Sequence, residues 1–95
     1  MLQVKEQLMQ MKEFLGLFVE IPNEKIVAQI MEDFFTPAEI ETFVNRWQIV
    51  KMLDKGIPQK EISEKLGVGI ATITHGSLAF KRGGEGFRWL LKKNV

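Results

Sequence analysis

The sequence predicts a small all-α protein that associates with itself. Apolar residues recur with helical spacing along almost the whole chain, and no segment alternates apolar and polar residues as a strand would. The 95 residues include no cysteine and a single histidine. Without disulfides or a structural metal, so short a chain gains additional burial chiefly from a partner subunit. We therefore expect a single domain spanning residues 1–95.

Two helices are predicted before residue 35. The first covers about residues 3–19, and its apolar stripe recurs at intervals of three and four: Leu8, Met11, Leu15 and Phe18. Asn23 favours the start of a second, short helix, because its side-chain oxygen can accept a hydrogen bond from the first backbone N–H groups. The apolar face of this helix carries Ile26, Val27, Ile30 and Phe34.

A long third helix is predicted from Thr36-Pro37-Ala38-Glu39. Threonine can cap it, proline suits its first position, and the glutamate completes a capping box. Its predicted apolar face consists of Ile40, Phe43, Val44, Trp47, Val50 and Leu53. The helix is expected to end at Lys55-Gly56, where glycine can adopt the left-handed conformation.

Residues 58–80, approximately, have the layout of a helix-turn-helix. Ser63 is small enough for two helices to cross closely, and Gly67 can make the turn between them. The buried side is expected to comprise Ile62, Leu66, Val68, Ile70 and Ile73. The accessible face of the second helix then carries Ala71, Thr72, Thr74, His75 and Ser77. Such short side chains let a helix approach base edges, which favours a DNA-reading helix over a plain helical hairpin.

The charge distribution supports a polyanion-binding surface. Residues 1–45 contain three lysines against eight carboxylates, a net charge of −5, whereas residues 46–95 contain ten basic side chains against four carboxylates, a net charge of +6. Phosphate contacts are expected from the basic residues of the C-terminal region: Lys81, Arg82, Lys92 and Lys93. Two oppositely charged halves that attract each other, with solvated lysines, are the alternative interpretation.

The sequence argues against several function classes. It has no glycine-rich phosphate loop, no cysteine and no second histidine for a catalytic dyad, so we do not expect an enzyme. The lone His75 has no partner at metal-ligand spacing, and we expect neither a metal site nor an obligatory cofactor. No segment approaches the length of a membrane span, and no signal peptide precedes the first helix. A cytoplasmic protein without membrane contact is expected.

Three segments of this chain resemble the tryptophan repressor family: Phe35-Thr36-Pro37-Ala38-Glu39, Arg46-Trp47-Gln48-Ile49-Val50, and Leu66 to Thr74 with Gly76-Ser77. The resemblance extends from about Phe34 to Lys81, roughly half of the chain, and the run of nine residues ending at Thr74 is highly specific. It implies an all-helical, intertwined homodimer that places two reading helices in successive major grooves of double-stranded DNA.

The resemblance also implies which residues contact DNA. The family's base-proximal positions correspond to Lys60, Gly69, Ile70, Ala71 and Thr74. Gln59 and Thr72 correspond to positions nearer the phosphates, and Ser63 stands beside the groove where a lysine is common. The operator of a better-known member is therefore not expected to apply to this chain.

In this family L-tryptophan acts as co-repressor, bound between the third helix and the reading helix. The resemblance places its contacts at Thr36, Arg46, Thr72, His75 and Gly76. Two arginines hold the indole and carboxylate in the family; Arg46 matches the first and His75 replaces the second. Ala79 replaces a serine that helps to bind the amino group.

Two classes of function remain open. The first is a transcriptional regulator, expected to be a repressor, gated by L-tryptophan or by another effector or none. The second is a helical interaction module without a nucleic-acid role. Salt-dependent binding to duplex DNA distinguishes them, because only the regulator releases counterions from a polyanion.

Overall fold

The computed structural model describes residues 3–82 and 84–94, and these fold entirely into helices and connecting turns. The helices are α1 (Val4–Val19), α2 (Glu24–Phe34), α3 (Pro37–Asp54), α4 (Gln59–Leu66), α5 (Ile70–Lys81) and α6 (Glu85–Lys93). The predicted all-α class is confirmed. None of the described helices is long and apolar enough to cross a membrane.

The chain divides into two compact units, residues 1–36 and residues 37–95. In the N-terminal unit, the Asn23 side chain accepts a hydrogen bond from the Ile26 N–H at 3.0 Å, as expected of a cap. The ring of Phe14 meets those of Phe18 and Phe34 edge-on, with centroids 5.1 and 5.4 Å apart. This aromatic cluster joins α1 to α2. The prediction of a single domain stays a prediction.

Most of the predicted α1 stripe is exposed in one chain. Leu8, Met11 and Leu15 each keep more than half of their surface accessible. Phe18 of the same stripe is half-buried, because it belongs to the aromatic cluster. Along α1, the residues that pack within the described part of this unit are therefore Phe14 and Phe18, and the aliphatic residues of the stripe stay exposed there.

The C-terminal unit has its core between α3, α4 and α5. One isoleucine from each helix, Ile49, Ile62 and Ile73, is almost completely buried. Half-buried residues pack around them: Met52, Leu53, Ile57, Leu66 and Val68. The apolar face predicted for α3 is only partly correct. It includes the buried Val50 but omits Ile49, and its Val44 is exposed.

Helices α3 and α5 pack closely at Gly76. This glycine is buried, and a Cβ atom at its position would lie 2.8 Å from Cγ2 of Ile49. The next residue, Ser77, is only 4% exposed, so its predicted place on the accessible face was wrong. The reason is the helical period, since Ser77 lies one turn after the buried Ile73 and shares its face. Gly76 thus lets the backbone of α5 pack directly against the Ile49 side chain of α3.

We expect Gly76→Ala to destabilise the protein. The added methyl group overlaps Ile49, which costs about 1–3 kcal/mol when a packed core must rearrange, and a gain in helix propensity of about 1 kcal/mol offsets part of it. Urea denaturation followed by circular dichroism measures the change. Gly86→Ala in α6 is the matched control, because a Cβ there meets nothing within 4 Å. Equal stability of the two variants would contradict the close packing at Gly76.

Candidate nucleic-acid interface and adjoining cavity

A turn formed by residues 67–69 joins α4 to α5. Gly67 ends α4 in the left-handed region, with φ 66° and ψ 31°, as the sequence predicts. The N–H groups of Gly67 and Val68 donate to the Ser63 carbonyl oxygen at 2.9 and 3.3 Å. The Ser63 hydroxyl in turn donates to the Val68 carbonyl oxygen at 2.5 Å. Ser63 therefore holds the turn through both its backbone and its side chain, and its predicted DNA contact stays a prediction.

The outward face of α5 begins at Ile70. This side chain is 51% exposed, so the expectation that it completes the buried side with Val68 and Ile73 was wrong. Ile70 lies three positions before the buried Ile73, but it is the first residue of α5 and stands at the N-terminal end of the helix. An exposed branched apolar side chain at this end agrees with the base-proximal position that the family resemblance implies.

Polar and small residues continue this face. Ala71 and Thr74 are exposed, and the Thr74 hydroxyl donates to the Ile70 carbonyl oxygen at 3.0 Å. Its oxygen keeps lone pairs that can accept a hydrogen bond from outside the helix. Gly69, the residue at the N-cap of α5, is also exposed. The outward face of α5, which comprises residues 70, 71 and 74 with Gly69 before them, thus offers methyl groups and one hydroxyl oxygen.

The helix before the turn contributes two of the predicted residues. Lys60 is exposed and Gln59 is half-buried, both in the first turn of α4. On the same helix, Lys65 lies 3.5 Å from the Glu61 carboxylate in an exposed ion pair. Residues 37–95 carry ten basic and six acidic side chains, a net charge of +4. The unit that contains α4 and α5 is therefore positive as a whole.

A cavity of about 520 Å³ lies between one face of α3 and the start of α5. Its lining residues are Ala38, Glu41, Thr42, Asn45, Arg46, Ile49, Val68, Thr72 and His75. This volume is within the range of small-molecule sites. The Thr42 hydroxyl is already engaged, since it donates to the Ala38 carbonyl oxygen at 3.0 Å. In the described part of the chain, no three His, Cys, Asp or Glu side chains cluster as a metal site would require.

The cavity brings together three of the five residues predicted to bind a ligand, Arg46, Thr72 and His75. Gly76 does not line it and instead packs against Ile49, one residue beyond His75. Thr36 belongs to the N-terminal unit. The ligand contacts predicted for Thr36 and Gly76 stay predictions.

Sequence reasoning missed the other lining residues of α3. Ala38, Glu41, Thr42 and Asn45 precede Arg46 and Ile49 at intervals of three and four, so they share one helical face. Once Arg46 is taken as a ligand contact, this spacing predicts that the other residues lie on the same face of α3. Polar helix residues are usually solvated, and for that reason no role was predicted for Glu41 or Asn45.

This chain is similar in sequence to known proteins. The family model described as Trp repressor protein matches residues 9–95. A Trp operon repressor homolog of Chlamydia trachomatis serovar L2 is 35% identical over 83 residues, which cover 86% of this chain and 88% of the relative. One from Chlamydia caviae is 37% identical over 82 residues, 81% of each chain. One from Vibrio vulnificus is 55% identical over 47 residues, 48% of this chain and 46% of the relative. No solved structure matches significantly.

This all-helical chain has a short turn between α4 and α5 and a cavity beside α5. Over most of its length, it is similar to bacterial proteins that are named Trp operon repressor homologs. The chain belongs to the Trp repressor family.

We expect Ser63→Ala to loosen the turn between α4 and α5. The variant leaves the Val68 carbonyl oxygen without its hydroxyl donor, at a cost of about 1 kcal/mol in the free energy of unfolding. Hydrogen exchange at the amides of residues 67–70 should become faster. Ser63→Thr, which keeps a hydroxyl, is the control. Exchange rates in Ser63→Ala equal to those of the unaltered protein would show that the hydrogen bond does not hold the turn.

Proposed function

We propose that this chain is a sequence-specific DNA-binding transcriptional regulator, a repressor that binds double-stranded DNA as a homodimer. The family consists of regulators and not of enzymes, and the relatives named above are each called a Trp operon repressor homolog. The observation that best supports sequence-specific DNA binding is the exposure of Ile70 at the N-terminal end of α5. In a monomeric protein with a purely structural α5, this side chain would be expected in the core.

Under this proposal, α4 and α5 form a helix-turn-helix, and the outward face of α5 enters the major groove. The methyl groups of Ile70 and Ala71 suit contact with the C5-methyl group of thymine, and the Thr74 oxygen suits a base amino group. Lys60 and the basic residues of the C-terminal region supply phosphate contacts that fix the orientation without reading sequence. Those residues are exposed: Lys81, Arg82, Lys92 and Lys93.

The homodimer is proposed from the apolar surface of a single chain. Hydrophobic residues make up 45% of the sequence, yet among the described residues only Ile49, Val50, Ile62 and Ile73 are buried hydrophobic side chains. Helix α1 exposes the aliphatic residues of its stripe, Leu8, Met11 and Leu15, and also Met9 and Leu17 outside the stripe. Exposed apolar patches of this extent are typical of interfaces between subunits.

L-tryptophan is proposed as the co-repressor, bound in the cavity between α3 and α5. The cavity is large enough for an amino acid with an indole ring, and Ile49 and Val68 give it an apolar part. Arg46 offers a cation for the carboxylate, and Thr72 and His75 face the same space from α5. These residues fit the ligand, and the guanidinium of Arg46 can donate two parallel hydrogen bonds to a carboxylate, which the imidazole of His75 cannot.

Acidic substitution of the outward face of α5 tests DNA binding. Ile70→Glu or Thr74→Glu should abolish specific binding in a mobility-shift titration, because a carboxylate would face the groove and its phosphates. The unaltered protein should bind duplex DNA with an affinity that falls steeply as the salt concentration rises. Gln10→Glu in α1 is the control for added negative charge and should bind normally.

Circular dichroism and sedimentation of the same variants separate folding from recognition. Both variants should keep the helical signal and the mass of the unaltered protein, since residues 70 and 74 are exposed. If the unaltered protein bound no DNA of any sequence even at low salt, the proposal would fail, and a helical interaction module would be the remaining function.

Substitution of His75 by arginine tests whether L-tryptophan binds in the cavity. His75→Arg should tighten L-tryptophan binding about tenfold in isothermal titration, because a charge-assisted hydrogen bond to the carboxylate contributes about 1.5–3 kcal/mol. His75→Gln, which adds no charge, should give no such gain. Equal affinity of the arginine and glutamine variants would place the carboxylate away from residue 75.

A further inference from the structure

The cavity between α3 and α5 is lined by both a carboxylate and a guanidinium. Glu41 and Arg46 line it from the same helix, and within residues 3–82 and 84–94 neither takes part in an ion pair or a side-chain hydrogen bond. Arg46 is half-buried, whereas Glu41 is exposed. Five residues separate the two positions, which is about 7.5 Å along the axis of α3 and about 140° around it, so the two side chains start from the two edges of the lining face. Two long side chains at that separation can close on one small ligand.

These two charges constrain the ligand. A ligand with only an anionic group would be attracted by Arg46 but repelled by Glu41, and a ligand with only a cationic group would meet the reverse. A zwitterion satisfies both side chains at once, so its binding desolvates no unpaired charge.

Glu41 is also the strongest acceptor that the cavity offers to an ammonium group. Thr42 uses its proton on the Ala38 carbonyl, and the lining contains one amide side chain, Asn45, and one further hydroxyl, Thr72. All three are neutral, and hydrogen bonds to a charged acceptor are roughly twice as strong. Ala79, at the position where the family resemblance implies a serine for the amino group, has no polar side-chain atom and does not line the cavity.

We propose that Glu41 binds the α-ammonium group of an aromatic amino acid in this cavity and makes the cavity selective for the zwitterion. Arg46 binds the carboxylate of the same molecule, and the ring lies toward Ile49 and Val68 at the apolar end. The inference rests on the proposed function, because the ligand it concerns is the proposed co-repressor.

Three ligands that share the indole ring test this assignment in isothermal titration: L-tryptophan, indole-3-propionate without the ammonium group, and tryptamine without the carboxylate. Glu41→Gln should weaken L-tryptophan and tryptamine about tenfold or more, and should leave indole-3-propionate unchanged or bound more tightly. Arg46→Gln should weaken L-tryptophan and indole-3-propionate but spare tryptamine. Glu64→Gln on α4 is the matched control, since it removes the same charge from an exposed residue outside the cavity.

The ratio of the affinities for L-tryptophan and indole-3-propionate decides the matter. A ratio that Glu41→Gln leaves unchanged overturns the proposal, and so does an absence of L-tryptophan binding to the unaltered protein. Either result leaves the DNA-binding proposal standing if the mobility shift is still salt-dependent. Conversely, zwitterion selectivity that depends on Glu41 in a protein that binds no DNA would support the cavity assignment and refute the regulator.

Discussion

The close approach of α3 and α5 at Ile49 and Gly76 fixes the arrangement of the C-terminal unit. Because Gly76 has no side chain, α5 lies directly against α3, and Ile49 fills the space that a larger residue would occupy. Ile49 also lines the cavity, so the same contact closes one end of it. The opposite face of α5 is left accessible, with Ile70 and Thr74 at its start. One packing constraint thus positions both the cavity and the candidate reading face.

The turn at residues 67–69 adds a second constraint. Ser63 holds this turn by three hydrogen bonds, and Val68, whose carbonyl oxygen is one of the acceptors, also lines the cavity. Thr72 lies within the first turn of α5 and lines the cavity as well, next to the exposed Ala71. A ligand in the cavity would therefore contact residues at the start of α5. Under the proposed function, such a ligand changes DNA affinity only as far as it prefers one arrangement of α5 over another.

Local signals made most of the fold predictable, whereas the faces of individual helices were harder. Asn23 marks a helix start through its side chain, Pro37 and Gly67 mark helix ends through their backbone conformation, and the observed bounds agree with those signals. Helix α3 carries apolar residues on several faces, so its period could not single out Ile49 as the core residue. Ile70 follows the apolar pattern of a buried position, but tertiary structure leaves it exposed. Glu41 was not predicted because a solvated carboxylate and a cavity carboxylate are identical in sequence.

The exposed stripe of α1 links stability to association under the proposed homodimer. Burial of a large apolar side chain contributes about 1.5–3 kcal/mol, so the three exposed residues of the α1 stripe, Leu8, Met11 and Leu15, represent about 5–9 kcal/mol. That amount is comparable to the whole stability of a small domain. A chain that gained it only from a second copy would fold and dimerise in one concentration-dependent equilibrium. The positioning of α5 would then depend on protein concentration as well as on any ligand, because the fold that presents the reading face would be completed by the partner.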